Sequence, residues 1–150
     1  MIITIDGPVA AGKTSTARRL ATRIPFSLLD TGAIYRSVAL QATNSGLDWH
    51  DEASMIRVAQ RLEIRFHVAE EINRVVVGEV DVTEAIRRPA ISRGASIVSA
   101  LPGVRAALLS LQRDYASAND VIAEGRDTGT VVFPRAETKF FLTATPEVRA

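Results

Sequence analysis

The chain contains no cysteine in its 150 residues. Disulfide bonds, thiolate zinc sites and cysteine nucleophiles are therefore excluded. Neither sign of charge is in excess, because 18 Lys and Arg residues oppose 17 Asp and Glu residues. A chain with this balance has no broad electrostatic footprint for nucleic acid polymers or anionic membranes. Any anion that binds here is expected to be small and held by local groups.

Long apolar runs and low-complexity tracts are also missing. The longest apolar runs fall far short of the roughly 20 residues that a membrane helix requires. The first residues do not show the charged n-region and apolar h-region of a signal peptide. We therefore expect a cytoplasmic protein that makes no membrane contact. The length predicts one domain over residues 1–150, and we also expect a monomer, although no feature of the sequence decides the oligomeric state.

Alternating strand and helix signals begin the chain. Residues 2–5 are typical of a short buried strand, and a helical pattern follows from Lys13 until Pro25. Residues 26–29 predict a second buried strand, which passes through Asp30-Thr31-Gly32 into another helix. Strands are also predicted at 121–123 and 139–142. Helices are predicted near 51–62, with Asp51 as the N-cap, and near 104–115. This order is typical of an α/β fold with a parallel central sheet.

The middle of the chain changes period. Ile64, Phe66 and Val68 alternate with polar residues, and a run of valines surrounds Gly78. These are signals of antiparallel hairpins. We expect an inserted subdomain with a small antiparallel sheet over about residues 63–100, a kind of insertion that commonly carries function.

A further helix start is predicted at Thr145-Pro146-Glu147, with proline at the first helical position. Only a few residues follow it. We therefore expect that the natural protein continues beyond this sequence.

Residues 7–14 match the phosphate-binding pattern GxxxxGK[ST] at every position. From average composition, a chance match anywhere in a chain of this length is on the order of half a percent. A predicted strand precedes the motif and a predicted helix follows it, as the pattern requires. The sequence therefore predicts a P-loop for ATP, formed by Gly7, Pro8, Val9, Ala10, Ala11, Gly12, Lys13, Thr14 and Ser15.

The residue types in this loop suit phosphate chemistry. Glycine permits backbone turns that let successive amide groups converge on phosphate oxygens, and a helix N-terminus adds positive potential. Lys13 would reach the β- and γ-phosphates as a catalytic cation, and Thr14 would offer its hydroxyl to Mg²⁺. Lys13 is one of only two lysines in the chain, the other being Lys139.

A P-loop alone is compatible with kinases, GTPases and mechanical ATPases. GTPase switch signatures are not evident, whereas three arginines lie at predicted loops or helix starts, namely Arg36, Arg105 and Arg126. Arginine binds phosphate in a bidentate manner. Together these arginines favour a kinase with a second, anionic substrate.

The sequence resembles the bacterial cytidylate kinases, which are P-loop nucleoside monophosphate kinases. The matching stretches are ITIDGPVAAGKTSTAR, LLDTGAIYR, VDVTEAIRRPAIS, SALPGVRAALLSLQR, IAEGRDTGTVVFP and KFFLTATPEVRA. They follow the family order over nearly the whole chain. DTGAIYR and EGRDTGTVVFP are much more specific to this family than the P-loop is.

The resemblance implies a three-layer P-loop NTPase-type fold, with the insertion as the subdomain that binds the monophosphate. It also implies ATP-dependent phosphorylation of CMP and dCMP to the diphosphates, with Mg²⁺ as cofactor. By position, Thr31, Arg105 and Asp127 match residues that recognise cytosine. Ser96 matches a sugar contact. Arg36 and Arg126 match residues that hold the monophosphate, and Arg126 would also be catalytic.

This sequence departs from the family pattern at two site positions. Thr31 replaces a serine common in relatives, which keeps the hydroxyl. Glu124 replaces a common aspartate, and its predicted role is to contact Mg²⁺ through a water. Family members also continue into a C-terminal lid, further arginines and aspartates, and a closing strand and helix that this sequence lacks. Two alternatives stay open: a catalytically silent nucleotide-binding module, and a P-loop kinase of another small substrate.

Overall fold

The computed structural model describes residues 1–149 of the chain. Its strands and helices follow in the order β1 (Ile2–Asp6), α1 (Lys13–Ala21), β2 (Ser27–Asp30), α2 (Thr31–Asn44), α3 (Glu52–Gln60), β3 (Ile64–Ala69), β4 (Ile72–Val77), β5 (Val80–Asp81), a 3₁₀ helix (Ala85–Arg87), α4 (Pro89–Ser99), α5 (Pro102–Ala118), β6 (Val121–Gly125), a π-helix (Thr128–Val132), β7 (Thr138–Phe141) and α6 (Pro146–Arg149).

Four strands form a parallel sheet in the order β2-β6-β1-β7. Strands β3, β4 and β5 form a separate three-stranded sheet, in which β4 and β5 are antiparallel. These two sheets confirm the predicted α/β fold with a parallel central sheet and a small antiparallel one.

Contact density divides the chain into two compact units. Unit 1 contains residues 1–31, 67–73 and 112–149, and unit 2 contains residues 32–66 and 74–111. The subdomain predicted over residues 63–100 stays a prediction, and so does the single domain over 1–150, of which Ala150 lies outside the described residues.

The core of unit 1 is built on β1. Ile3 and Ile5 are buried and form one cluster with Ala17, Leu28 and Ile122. Because neighbouring residues of a strand point to opposite faces, Thr4 and Asp6 project to the other face, where both are also buried. A strand that is buried on both faces is typical of a parallel sheet covered by other elements.

Unit 2 contains a capped helix that the sequence indicates directly. The Asp51 side chain accepts a hydrogen bond from the Ser54 amide, so Asp51 is the N-cap of α3, as expected. The carboxylate also accepts from the Ser54 hydroxyl at 2.6 Å. These bonds lower the pKa of Asp51, because they favour its charged form.

The region predicted as an antiparallel insertion is only partly sheet. Its strands end at Asp81, and α4 occupies Pro89–Ser99. Proline at the first helical position is favourable, and Ile91, Gly94 and Val98 are buried at helical spacing. The period-two pattern therefore stops well before residue 100.

Within residues 1–149, no single helix is long and apolar enough to cross a membrane. The pair α4 and α5, which is bent by 99°, meets the length and composition criteria when taken together.

Candidate active site

The register of the parallel sheet aligns the carboxyl ends of three strands. Asp6 of β1 lies opposite Gly125 of β6, and Asp30 of β2 lies opposite Glu124. In open α/β sheets, ligands bind at this edge because loops and helix N-termini converge there. The P-loop follows β1 at this edge, and Arg126-Asp127 follows β6.

The P-loop has the backbone that its glycines predict. Gly7 and Gly12 have φ angles of 152° and 89°, a region that disfavours side chains. A Cβ on Gly7 would also lie 2.1 Å from the Leu142 carbonyl oxygen, so space as well as conformation requires glycine there. Ala10 has a φ of 60° although it is not glycine. The loop therefore turns through left-handed positions before Lys13 begins α1.

The N-cap residue of α1 provides no side-chain cap. This residue is Gly12, which has no side chain to accept a capping hydrogen bond. The first turn of a helix has amide groups without intrahelical acceptors. Gly12, Thr14 and Ser15 are exposed, so this end of α1 faces solvent, and an anion is favourable at such a helix N-terminus.

Lys13 folds back over the loop. Its Nζ donates a hydrogen bond of 2.7 Å to the Pro8 carbonyl oxygen. Partial burial lowers the pKa of Lys13, and the positive charge of Arg126 acts in the same direction. Glu124, Asp6 and Asp30 oppose this shift. Lys13 and Arg126 are thus close enough to repel each other, and an anion near both would relieve that repulsion.

Thr14 contacts Glu124 directly. The Thr14 hydroxyl donates a hydrogen bond of 2.9 Å to Glu124 Oε2, and Glu124 is 3% exposed. Hydroxyl and carboxylate oxygens are ligands that Mg²⁺ accepts, and Mg²⁺ commonly takes few protein ligands besides phosphates and waters. No group of three or more His, Cys, Asp or Glu residues suited to a metal occurs in the described part of the chain. The Thr14 hydroxyl and the Glu124 carboxylate therefore fit an Mg²⁺ ion that is also bound by phosphates, rather than a metal held by the protein alone.

Thr31 is buried against β6. Its hydroxyl donates a hydrogen bond of 2.8 Å to the Glu124 carbonyl oxygen, and its side chain is 7% exposed. A Cβ on Gly125 would lie 2.4 Å from Thr31 Oγ1, which explains glycine at that position. The hydroxyl oxygen keeps its accepting capacity, whereas its proton is engaged. The predicted cytosine contact of Thr31 stays a prediction.

Arg126 and Asp127 come directly after β6. Arg126 is exposed and Asp127 is half-buried. Asp127 is the residue before the π-helix, where its side chain makes no capping bond. Thr14 bonds to Glu124, and the charges of Glu124 and Arg126 act on Lys13, so these four residues lie near one another within unit 1.

The remaining predicted site residues belong to unit 2. Arg36 lies in the second turn of α2, and Ser96 lies on α4, where its hydroxyl donates to the Ser92 carbonyl oxygen at 3.2 Å. Arg105 lies in the first turn of α5 and donates to the Ser99 carbonyl oxygen at 3.3 Å. Their predicted roles towards CMP stay predictions.

A cavity of about 350 Å³ also lies in unit 2, lined in part by Gln41, Arg57, Arg61 and Leu62. None of the residues predicted to bind ATP or CMP lines it. The candidate site therefore rests on the P-loop geometry, not on this cavity.

Sequence reasoning missed two acidic residues near Lys13. Asp6 and Asp30 are the last residues of β1 and β2, and both act on the Lys13 charge. Their position at the ends of strands that precede a P-loop and a helix was the available signal.

The family model described as "Cytidylate kinase" matches residues 3–150. The chain belongs to the cytidylate kinase family. It is 48% identical to the cytidylate kinases of Neisseria meningitidis and Pelotomaculum thermopropionicum over 149 residues, which cover 99% of this chain and 66% of each relative. It is 45% identical to that of Carboxydothermus hydrogenoformans over 150 residues, or 68% of that relative. The chain thus spans about two thirds of the length of these cytidylate kinases. The match to the family model confirms the resemblance inferred from DTGAIYR and EGRDTGTVVFP.

Proposed function

We propose that this protein transfers the γ-phosphoryl group of ATP to CMP and dCMP, producing CDP and dCDP. The observation that carries the proposal is the arrangement around α1. The N-terminus of α1 behind Gly12, Lys13, the Thr14–Glu124 pair and the charge of Arg126 converge at one edge of the sheet. The names of the relatives supply the acceptor.

Phosphoryl transfer requires alignment of donor and acceptor and neutralisation of charge on the transferred group. The P-loop amides would hold the triphosphate, and Lys13 would leave the Pro8 carbonyl to contact the β- and γ-phosphates. Arg126 would bind the acceptor phosphate and neutralise charge on the equatorial oxygens. No covalent intermediate on the protein is needed.

Thr14 and Glu124 would hold Mg²⁺, directly through the hydroxyl and through a water from the carboxylate. When bound, Mg²⁺ neutralises charge on the β- and γ-phosphate oxygens. Thr31, Arg105 and Asp127 are proposed to recognise cytosine, Arg36 the acceptor phosphate, and Ser96 the sugar. The cytoplasmic location and the monomeric state are likewise proposals.

An ADP-release assay with CMP, dCMP, UMP and AMP as acceptors tests the function. Turnover that prefers CMP and dCMP supports it. ATP binding without turnover on any acceptor would instead indicate a silent nucleotide-binding module, and turnover only on a different alcohol would indicate another kinase. Lys13→Ala should abolish stabilisation by ATP in thermal unfolding, and an undiminished shift would contradict the P-loop assignment.

A further inference from the structure

Asp6 accepts three hydrogen bonds from a segment more than 100 residues away. Asp6 Oδ1 accepts from the Thr128 amide at 2.8 Å and from the Thr128 hydroxyl at 2.6 Å. Asp6 Oδ2 accepts from the Gly129 amide at 2.7 Å. Asp6 is only 6% exposed, so these bonds are shielded from water. Hydrogen bonds to a buried charged group are among the stronger ones in proteins.

The two amides belong to the start of the π-helix. Thr128 and Gly129 are its first two residues, and the side chain of the preceding Asp127 does not cap it. Asp6, at the end of β1, therefore accepts hydrogen bonds from the first amides of the π-helix, as an N-cap side chain does in an ordinary helix. A carboxylate is also favourable there because the first amides of a helical turn carry partial positive charge.

The surroundings leave this arrangement little freedom. A Cβ on Gly129 would lie 2.7 Å from Thr4 Oγ1 and 3.2 Å from Asp6 Oδ2, so the segment lies directly against β1. The Asp6 carbonyl oxygen also accepts from the Leu142 amide at 2.7 Å. The Asp6 backbone is thus held by Leu142, the residue after β7, while the Asp6 side chain holds the start of the π-helix.

Asp6 lies between two parts of the candidate site. Gly7, the next residue, begins the P-loop, and Thr128 directly follows Arg126-Asp127. A carboxylate that fixes Thr128 and Gly129 limits the orientations of the two residues before them. The carboxylate of Asp6 therefore holds the segment that follows Arg126-Asp127, and none of these three bonds involves the P-loop.

We propose that Asp6 is a positioning residue, whose carboxylate holds Arg126-Asp127 in the orientation that binds the acceptor nucleotide. The proposal rests on the proposed function for the identity of the acceptor. Asp6 acts through Thr128 and Gly129. Loss of its carboxylate should weaken CMP binding more than ATP binding, because the P-loop amides hold the triphosphate independently of Thr128.

The test compares four variants. Asp6→Asn keeps the volume but replaces an acceptor by a donor, so at least one of the three N–H or O–H groups loses its partner. Thr128→Val removes the hydroxyl bond at equal size, whereas Thr128→Ser keeps it. Ile5→Val lowers stability from a neighbouring core position of β1 without touching these bonds.

Two readouts are measured on each variant. In Asp6→Asn the Thr128 and Gly129 amides should exchange hydrogen about 10–100 times faster than in the wild type, by NMR. Calorimetry should show CMP binding weakened about tenfold or more, with ATP binding within about threefold. Thr128→Val should show smaller changes of the same kind, while Thr128→Ser and Ile5→Val should keep the wild-type ratio of CMP to ATP affinity.

Unchanged exchange of both amides in Asp6→Asn, or equal weakening of ATP and CMP, would overturn the proposal. If Asp6→Asn does not fold, comparing Thr128→Val with Thr128→Ser tests the proposal by the same two readouts, amide exchange and nucleotide affinity. A wild-type chain that binds ATP but not CMP would contradict the proposed acceptor. The amide exchange rates would then still decide whether Asp6 holds the segment.

Discussion

Thr14 Oγ1 donates a hydrogen bond of 2.9 Å to Glu124 Oε2, which joins the first turn of α1 to the end of β6. The two residues are 110 positions apart in the sequence. A buried carboxylate beside a P-loop hydroxyl can orient that hydroxyl and add negative charge where Mg²⁺ would bind. This contact gives the Glu124 side chain a defined position.

Glu124→Gln should raise the Mg²⁺ concentration required for ATP binding. The glutamine oxygen can still accept from Thr14, but the negative charge is lost. Partners of this kind typically change metal affinity about tenfold or more. A Mg²⁺ titration at fixed ATP, followed by thermal unfolding, measures the midpoint. Glu79→Gln, at a side chain that is 97% exposed, is the matched control. An unchanged midpoint in Glu124→Gln would refute the assignment.

ATP affinity should fall at alkaline pH, and it should begin to fall below the ordinary lysine pKa of 10.5. Burial lowers the pKa of Lys13, so the free protein loses this charge earlier than an exposed lysine would. A triphosphate binds the charged form better, so the dissociation constant rises as pH passes upward through the lowered pKa. Binding calorimetry from about pH 7.5 to 10 measures the decline.

Lys13→Arg is the control for this pH dependence. Arginine stays protonated throughout the range, so the variant should bind ATP more weakly but without the alkaline decline. If the alkaline fall in ATP affinity persists in Lys13→Arg, a group other than Lys13 causes it.

Without ATP, the lowered Lys13 pKa means that the unfolded chain binds more protons than the folded chain between that pKa and 10.5. Stability of the free protein should therefore rise with pH in that window.

Arg105→Met should weaken CMP binding while ATP binding is preserved. Removing a charge-assisted hydrogen bond costs about 1.5–3 kcal/mol, or roughly 10–100-fold in affinity. Arg61→Met, an exposed arginine at the end of α3, is the control and should change neither ligand. Separate calorimetric titrations with CMP and ATP measure the effect. Equal losses for both ligands would contradict a role of Arg105 towards cytosine.

Gly7→Ala should destabilise the protein far more than Gly78→Ala. Both glycines have positive φ, but a Cβ on Gly7 would overlap the Leu142 carbonyl oxygen, whereas Gly78 has open space. We expect a loss of about 2–4 kcal/mol at Gly7, and about 1 kcal/mol at Gly78 from backbone strain alone. Thermal unfolding should show a decrease of about 5–15 °C for Gly7→Ala. Equal decreases would mean that conformation, not space, requires glycine at position 7.

Most helices and strands could be predicted because their signals are local. The buried strand before Gly7, the cap at Asp51 and the proline at the start of α6 are each read from a few neighbouring residues. Helix α4 was missed because the hairpin pattern before it was extended too far. The π-helix carried no helical signal, since Thr128–Val132 contains a glycine and β-branched residues that disfavour helices.

The sequence by itself determined the P-loop, since the left-handed turns at Gly7 and Gly12 and the start of α1 depend on residues within one short stretch. It also determined the family, through motifs that are contiguous in the chain. Only the tertiary structure decided that Glu124 receives the Thr14 hydroxyl and that Asp6 holds Thr128 and Gly129. These pairs are brought together by the register of parallel strands, and a strand carries no local mark of which distant strand will lie beside it.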